Sequence, residues 1–184
     1  MANSFLKNKG GYRSLIVYKI SEIIYDITYY FTRNYLKKGD RTIDQMIQAA
    51  RSGKQNIAEG SKASTTSSDT EIKLTNVAKA SLEELLLDYE DYLRVRNLTI
   101  WIYEHPRYTR LREFCKSKTL MTHHSELMPR LNDEEICNLC ITLLNQATYM
   151  LRRLIEKQQQ MFLQDGGIRE QMMKARINHR NNNQ

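Results

Sequence analysis

Cys137-Asn138-Leu139-Cys140 sets two thiols at the spacing used by redox and zinc sites. Redox use needs a thiolate favoured by a helix N-terminus or a nearby cation, and zinc needs a second pair of ligands. The rest of the chain offers only Cys115 and scattered histidines. Cys140 also falls on an apolar stripe, so both cysteines read as small core residues. His123 and His124 are adjacent rather than four apart, so one helix face cannot present both to a metal. Glu83-Glu84 and Glu134-Glu135 read as helix-surface and capping charges. The sequence contains no glycine-rich phosphate loop, no Gly-x-Ser-x-Gly and no His-Glu-x-x-His. This inventory points to no enzyme, no cofactor and no metal.

The cations are the remaining chemistry. The chain has 184 residues, 28 Lys and Arg against 21 Asp and Glu, and a formal net charge of +7. Such a balance suits an anionic partner, either nucleic acid or an acidic protein. The density is highest at Lys37, Lys38 and Arg41, followed by Arg51, Lys54 and Lys62. Two readings stand. Charge runs on a helix are commonly a solvated face. Alternatively, these six residues form a basic strip that neutralises RNA or DNA phosphates. The tyrosines Tyr18, Tyr25, Tyr29, Tyr30 and Tyr35 divide in the same way, between base stacking and helix packing, and packing is preferred.

The elements that must position these residues are helical. With two prolines and seven glycines, the composition favours long helices. Ser14 predicts an N-cap, and Ile16, Ile20, Ile23, Ile27 and Phe31 predict a helix over 14–37. Gly39-Asp40 breaks it. A second helix starts near 41 or 42, with Ile43, Met46, Ile47, Ala50, Gly53 and Ile57 facing inward. Gly53 lies on that apolar face, where glycine costs roughly 1 kcal/mol against alanine and suggests a closely approaching backbone. Gly60 reads as the C-cap. Ser68-Asp69-Thr70-Glu71 reads as a capping box opening a third helix over 69–97, with a stripe of Leu74, Val77, Ala78, Leu82, Leu85, Tyr89 and Leu93. Residues 98–131 break the pattern, apart from a short helix over 107–117. Asn132-Asp133-Glu134-Glu135 caps a fourth helix over 133–160, whose Ile136, Cys140, Leu143, Ala147, Met150 and Leu154 alternate at four and three.

The run Gln55-Asn56-Ile57-Ala58-Glu59-Gly60, preceded by Asp44-Gln45-Met46-Ile47-Gln48-Ala49-Ala50-Arg51, resembles the motif of the four helix bundle proteins. These are also called the 23S rRNA-intervening-sequence or S23-like proteins. They are related to the accessory variability proteins of diversity-generating retroelements. The likeness continues through Glu71 to Leu85 and covers 14–98, and 132–157 more loosely. It departs at Ser52-Gly53-Lys54-Gln55, where many relatives have a Ser-Ile-Pro-Ala type of run. It carries no catalytic motif. It implies a homo-oligomer, a pentameric ring in the best-known relatives, and as partners RNA, DNA or a polymerase such as a reverse transcriptase.

The expected architecture is therefore all-α: an up-down four-helix bundle over 14–160 with an insertion over 98–131. A flexible basic arm over 1–13 precedes it. A tail over 161–184 follows it, hinged at Gly166-Gly167, with a short helix reaching Ile177 and a disordered end over Asn181 to Gln184. The expected location is cytoplasmic, since no run of 18 apolar residues or signal-peptide pattern is present. The function expected is non-catalytic nucleic-acid binding or an adaptor role. The alternative is a protein–protein scaffold that binds no nucleic acid.

Overall fold

A computed structural model describes residues 11–181. The chain is all-helical, and no strand is present among the described residues. Four long helices carry the core: α1 (Ile16–Tyr35), α2 (Thr42–Ala63), α3 (Ser68–Val95) and α6 (Asp133–Asp165). Two shorter ones, α4 (Tyr108–Phe114) and α5 (Lys118–Leu127), lie in the insertion, and α7 (Ile168–Asn181) follows Gly166. α1 and α3 each pack on both α2 and α6. No helix among the described residues is long and apolar enough to cross a membrane.

Most of the basic arm expected over 1–13 lies outside the described residues. Tyr12–Ser14 forms a 3-10 turn. Ser14 caps no α-helix: its hydroxyl donates to the Gly11 carbonyl at 2.8 Å, and Leu15 precedes α1 without a side-chain cap. The core face of α1 is rotated from the expected stripe. Ile16 is exposed, while Val17, Ile20, Ile23, Ile24, Ile27 and Phe31 are buried. Thr28 is also buried. Its hydroxyl donates to the Ile24 carbonyl at 2.7 Å and accepts from Tyr89 Oη at 3.1 Å, so the polar group is satisfied inside the core.

Gly53 faces inward as its spacing requires: an added Cβ would stand 2.7 Å from Leu82 Cγ on α3. Gly60 is a correction. It is no C-cap but a buried residue inside α2, which runs to Ala63. A Cβ there would meet the Glu71 carbonyl, Leu74 Cβ and Thr75 Oγ1, each at 3.4 Å. Close approach of α3, not a left-handed turn, explains the glycine. The cap of α3 is also one residue earlier than expected. Ser67, with extended backbone, accepts from the Thr70 N–H at 3.2 Å, and Ser68 is already helical.

α3 ends at Val95, not Asn97, by a Schellman closure. Asn97 has φ +55°, Leu98 N–H donates to the Leu93 carbonyl at 2.9 Å, and Asn97 N–H to the Arg94 carbonyl at 3.2 Å. Asparagine is the side chain that tolerates this left-handed position best after glycine. The fourth long helix opens as expected. Asn132 accepts from Glu135 N–H at 2.9 Å, and Glu135 accepts from Asn132 N–H at 3.1 Å. It runs five residues past the expected end, to Asp165, and closes at Gly166 with φ +76°. The short tail helix likewise extends beyond Ile177, to Asn181. Residues 182–184, expected to be disordered, lie outside the described residues, whereas Asn181 is helical.

α5 has no counterpart among the expected elements. Ser117 caps it by accepting from Leu120 N–H at 3.2 Å, and Leu120 is buried. His123, at φ −131°, kinks it. Next to the kink, His124 Nε2 lies 2.9 Å from Asp26 Oδ2 on α1.

Candidate nucleic-acid interface

The α2 helix sets the geometry of the cations. At 100° per residue, Arg51, Lys54 and Lys62 fall within a sector of about 80°, opposite the face that buries Ala49, Gly53 and Gly60. Arg51 and Lys62 are exposed and Lys54 is half-buried. Lys54 leans toward α1, with Nζ 4.2 Å from the centroid of the Tyr25 ring. Lys62 Nζ lies 5.4 Å from the centroid of Tyr12, whose ring also carries Arg13 at 5.8 Å. Both lysines thus rest over aromatic faces, which attract cations and hold the ammonium groups at the surface.

Lys37, Lys38 and Arg41 are exposed in and beside the α1–α2 connection. Arg41 and Lys62 are separated by about 31 Å along α2 at 1.5 Å per residue. The six residues therefore form two groups, one at the bend and one along the outer sector of α2. Among the described residues, none of the six takes part in an ion pair. Asp40 sits among the bend cations but is already engaged. Its carboxylate accepts from Thr42 N–H at 2.9 Å, and that bond holds its pKa below the ordinary range.

Sequence spacing missed Arg96. It follows α3, is stacked on Tyr92 with Cζ 3.7 Å from the ring centroid, and acts electrostatically on Asp40. It therefore joins the bend group from a distant part of the chain. The tyrosines of α1 mostly pack. Tyr18, Tyr25, Tyr30 and Tyr35 lie partly buried against the core, and Tyr35 Oη donates to the Leu131 carbonyl at 2.8 Å. Tyr29 is the exposed one, with Arg33 Cζ 5.4 Å from its ring centroid.

The cysteines are core residues. Cys115, Cys137 and Cys140 are all buried. Burial pushes the thiols of Cys115 and Cys140 up to about 12 and that of Cys137 higher still, so all stay protonated at neutral pH. No group of His, Cys, Asp and Glu suited to a metal ion occurs among the described residues.

No family model, curated protein or solved structure matches the chain.

Proposed function

We propose that this chain is a non-catalytic, oligomeric nucleic-acid-binding or adaptor protein of the S23-like four helix bundle family, built as an up-down four-helix bundle. The short connections over 36–41 and 64–67 and the pairing of α1 and α3 with both α2 and α6 support that topology. The observation that carries the function is the outer sector of α2, where Arg51, Lys54 and Lys62 have no acidic partner among the described residues. Cations left free of ion pairs are available to phosphate, and a ring of copies would repeat the strip and add its fields. A pentamer, a cytoplasmic location and a partner polymerase such as a reverse transcriptase belong to this reading through the sequence resemblance.

The test is fluorescence-polarisation titration of short RNA and DNA duplexes at two salt concentrations. Phosphate binding to a duplex should weaken with a log–log slope of about −0.9 per neutralised phosphate. Light scattering of the same sample gives the subunit number. No binding at low salt removes the nucleic-acid reading. A second reading, a protein-only scaffold, is favoured by the exposed apolar residues Val77, Leu87 and Val95 along α3.

A further inference from the structure

The insertion builds a groove that neither the basic strip nor the core accounts for. It has a volume of about 730 Å³ and runs between residues 100–116 and α6. Its floor is fixed by a polar hub. Asn138, buried on α6, donates to the Thr99 and Glu134 carbonyls, each at 2.9 Å, and accepts from Trp101 N–H at 2.7 Å. Glu134 holds the same segment from its other side, accepting from Trp101 Nε1 at 3.0 Å and Thr99 N–H at 3.1 Å. The groove is thus anchored to a long helix and shaped in advance.

Its walls alternate aromatic rings with cations. Tyr103 is 81% exposed and meets only the edge of Tyr108, at 6.2 Å between centroids. Tyr149, on α6, is 57% exposed. Arginines accompany the rings: Arg112 Cζ stands 5.6 Å from the Tyr108 centroid and Arg152 Cζ 5.3 Å from that of Tyr149. Arg112 and Lys116 are the two cations among the lining residues, Arg152 stands outside the lining beside Tyr149, and Glu90 is the one lining acid. Gln146 lines the wall, and its amide has both donors and acceptor free among the described residues. Exposed ring faces, nearby guanidinium groups and a free amide match the three parts of an unpaired nucleotide: base plane, phosphate and base edge.

We propose that this groove binds single-stranded nucleic acid, with bases stacked on Tyr103 and Tyr149 and phosphates held by Arg112 and Lys116. From Ile141 to Tyr149 it spans about 12 Å of α6, room for a few bases. The proposal shares its ligand class with the reading above but uses a different surface and a different strand state.

Trp101 is the chain's single tryptophan and lines this groove, so its emission reports on the groove and the hub that holds it. Full-length protein is titrated with eight-residue oligo(rA) or oligo(dA) while tryptophan emission is followed. Labelled single strands and a labelled duplex are titrated in parallel by fluorescence polarisation. The expected result is saturable change of Trp101 emission by the single strands. Affinity should fall at least about 30-fold in the Tyr103→Ala/Tyr149→Ala double variant, the loss expected when two stacked bases are given up. It should be kept in Tyr103→Phe/Tyr149→Phe, which preserves the rings, and the emission change should survive Arg51→Gln/Lys54→Gln. Single-strand binding seen by polarisation without a change at Trp101, or unaltered by the alanine pair, overturns the groove. An equal emission change with polyglutamate shows a general anion surface and also overturns it. Duplex binding without single-strand binding overturns the groove but leaves the proposed function standing. Binding of neither removes both.

Discussion

Leu82 occupies the space that a side chain on Gly53 would need, its Cγ 2.7 Å from the position of an added Cβ. Leu82 is fully buried, so it cannot swing to solvent. Gly53→Ala gains about 1 kcal/mol of helix propensity but overpacks the α2–α3 contact by about 1–3 kcal/mol. A net loss of up to about 2 kcal/mol is expected, and Gly53→Leu should lose several. Chemical denaturation measures both. The decisive arm adds Leu82→Ala: if the two side chains compete for one space, Gly53→Ala should become neutral or stabilising in that background.

Asp88 lies half-buried on α3 with Oδ2 buried and without a hydrogen-bond partner among the described residues. Burial first, then the nearby Glu84 and Asp91, raises its pKa to about 6. A carboxyl whose folded pKa exceeds its unfolded one binds protons more tightly when folded. Its contribution is therefore greatest below about pH 4 and is lost as pH rises through about 6. Asp88→Asn should leave stability near pH 4 unchanged and raise it by about 1 kcal/mol at pH 7, after discounting for the partial exposure of the group. Thermal melts across pH 4–7 check this. Equal stability of the two proteins at pH 7 contradicts it.

Asn138 is 1% exposed and makes three hydrogen bonds, two of which, to Trp101 N–H and the Thr99 carbonyl, pin the insertion to α6. Replacing it with leucine leaves the Trp101 N–H and the Thr99 carbonyl without their partner. Each such buried group costs about 1–3 kcal/mol. A loss of about 2–6 kcal/mol is expected, with tryptophan emission shifted to the red as segment 98–102 loosens. A melt as stable as wild type with unshifted emission would mean that the hub does not hold the groove.

The parts of this fold that local chemistry dictates were readable from sequence. Asn132 and Glu135 have the reciprocal spacing of a capping box, and Gly53 sits on an apolar face where only a close neighbour explains it. Gly60 misled because glycine serves both left-handed caps and close helix contacts, and only the position of Glu71 and Thr75 decides between them. The closure at Asn97 lacks glycine and so carries little signal. α5 buries Leu120 but has a kink at His123, which erases any periodic stripe. The basic residues were visible as a density, but their division into two groups depends on the length of α2. The rings beneath Lys54 and Lys62 belong to Tyr25 and Tyr12, more than twenty positions away. Arg96 and the groove over Trp101 are cross-element features of the same kind, with no local pattern.

Arg51 and Lys54 share a face but differ in support, and that difference can be measured. Lys54 rests on Tyr25 at 4.2 Å, whereas Arg51 is exposed and has no ring or ion-pair partner among the described residues. Lys54→Gln should therefore lower stability by about 0.5–1 kcal/mol through the lost cation–π contact, and Arg51→Gln should leave it unchanged. Both should weaken duplex binding about equally across unrelated sequences, because phosphate contacts carry no sequence information. If each residue neutralises one phosphate, the double variant should flatten the log–log salt slope for duplex binding by about 1.8. Fluorescence polarisation at a series of salt concentrations gives that slope, and light scattering shows whether assembly is intact. A slope unchanged by the double variant, with duplex binding retained, moves the interface to the bend formed by Lys37, Lys38, Arg41 and Arg96.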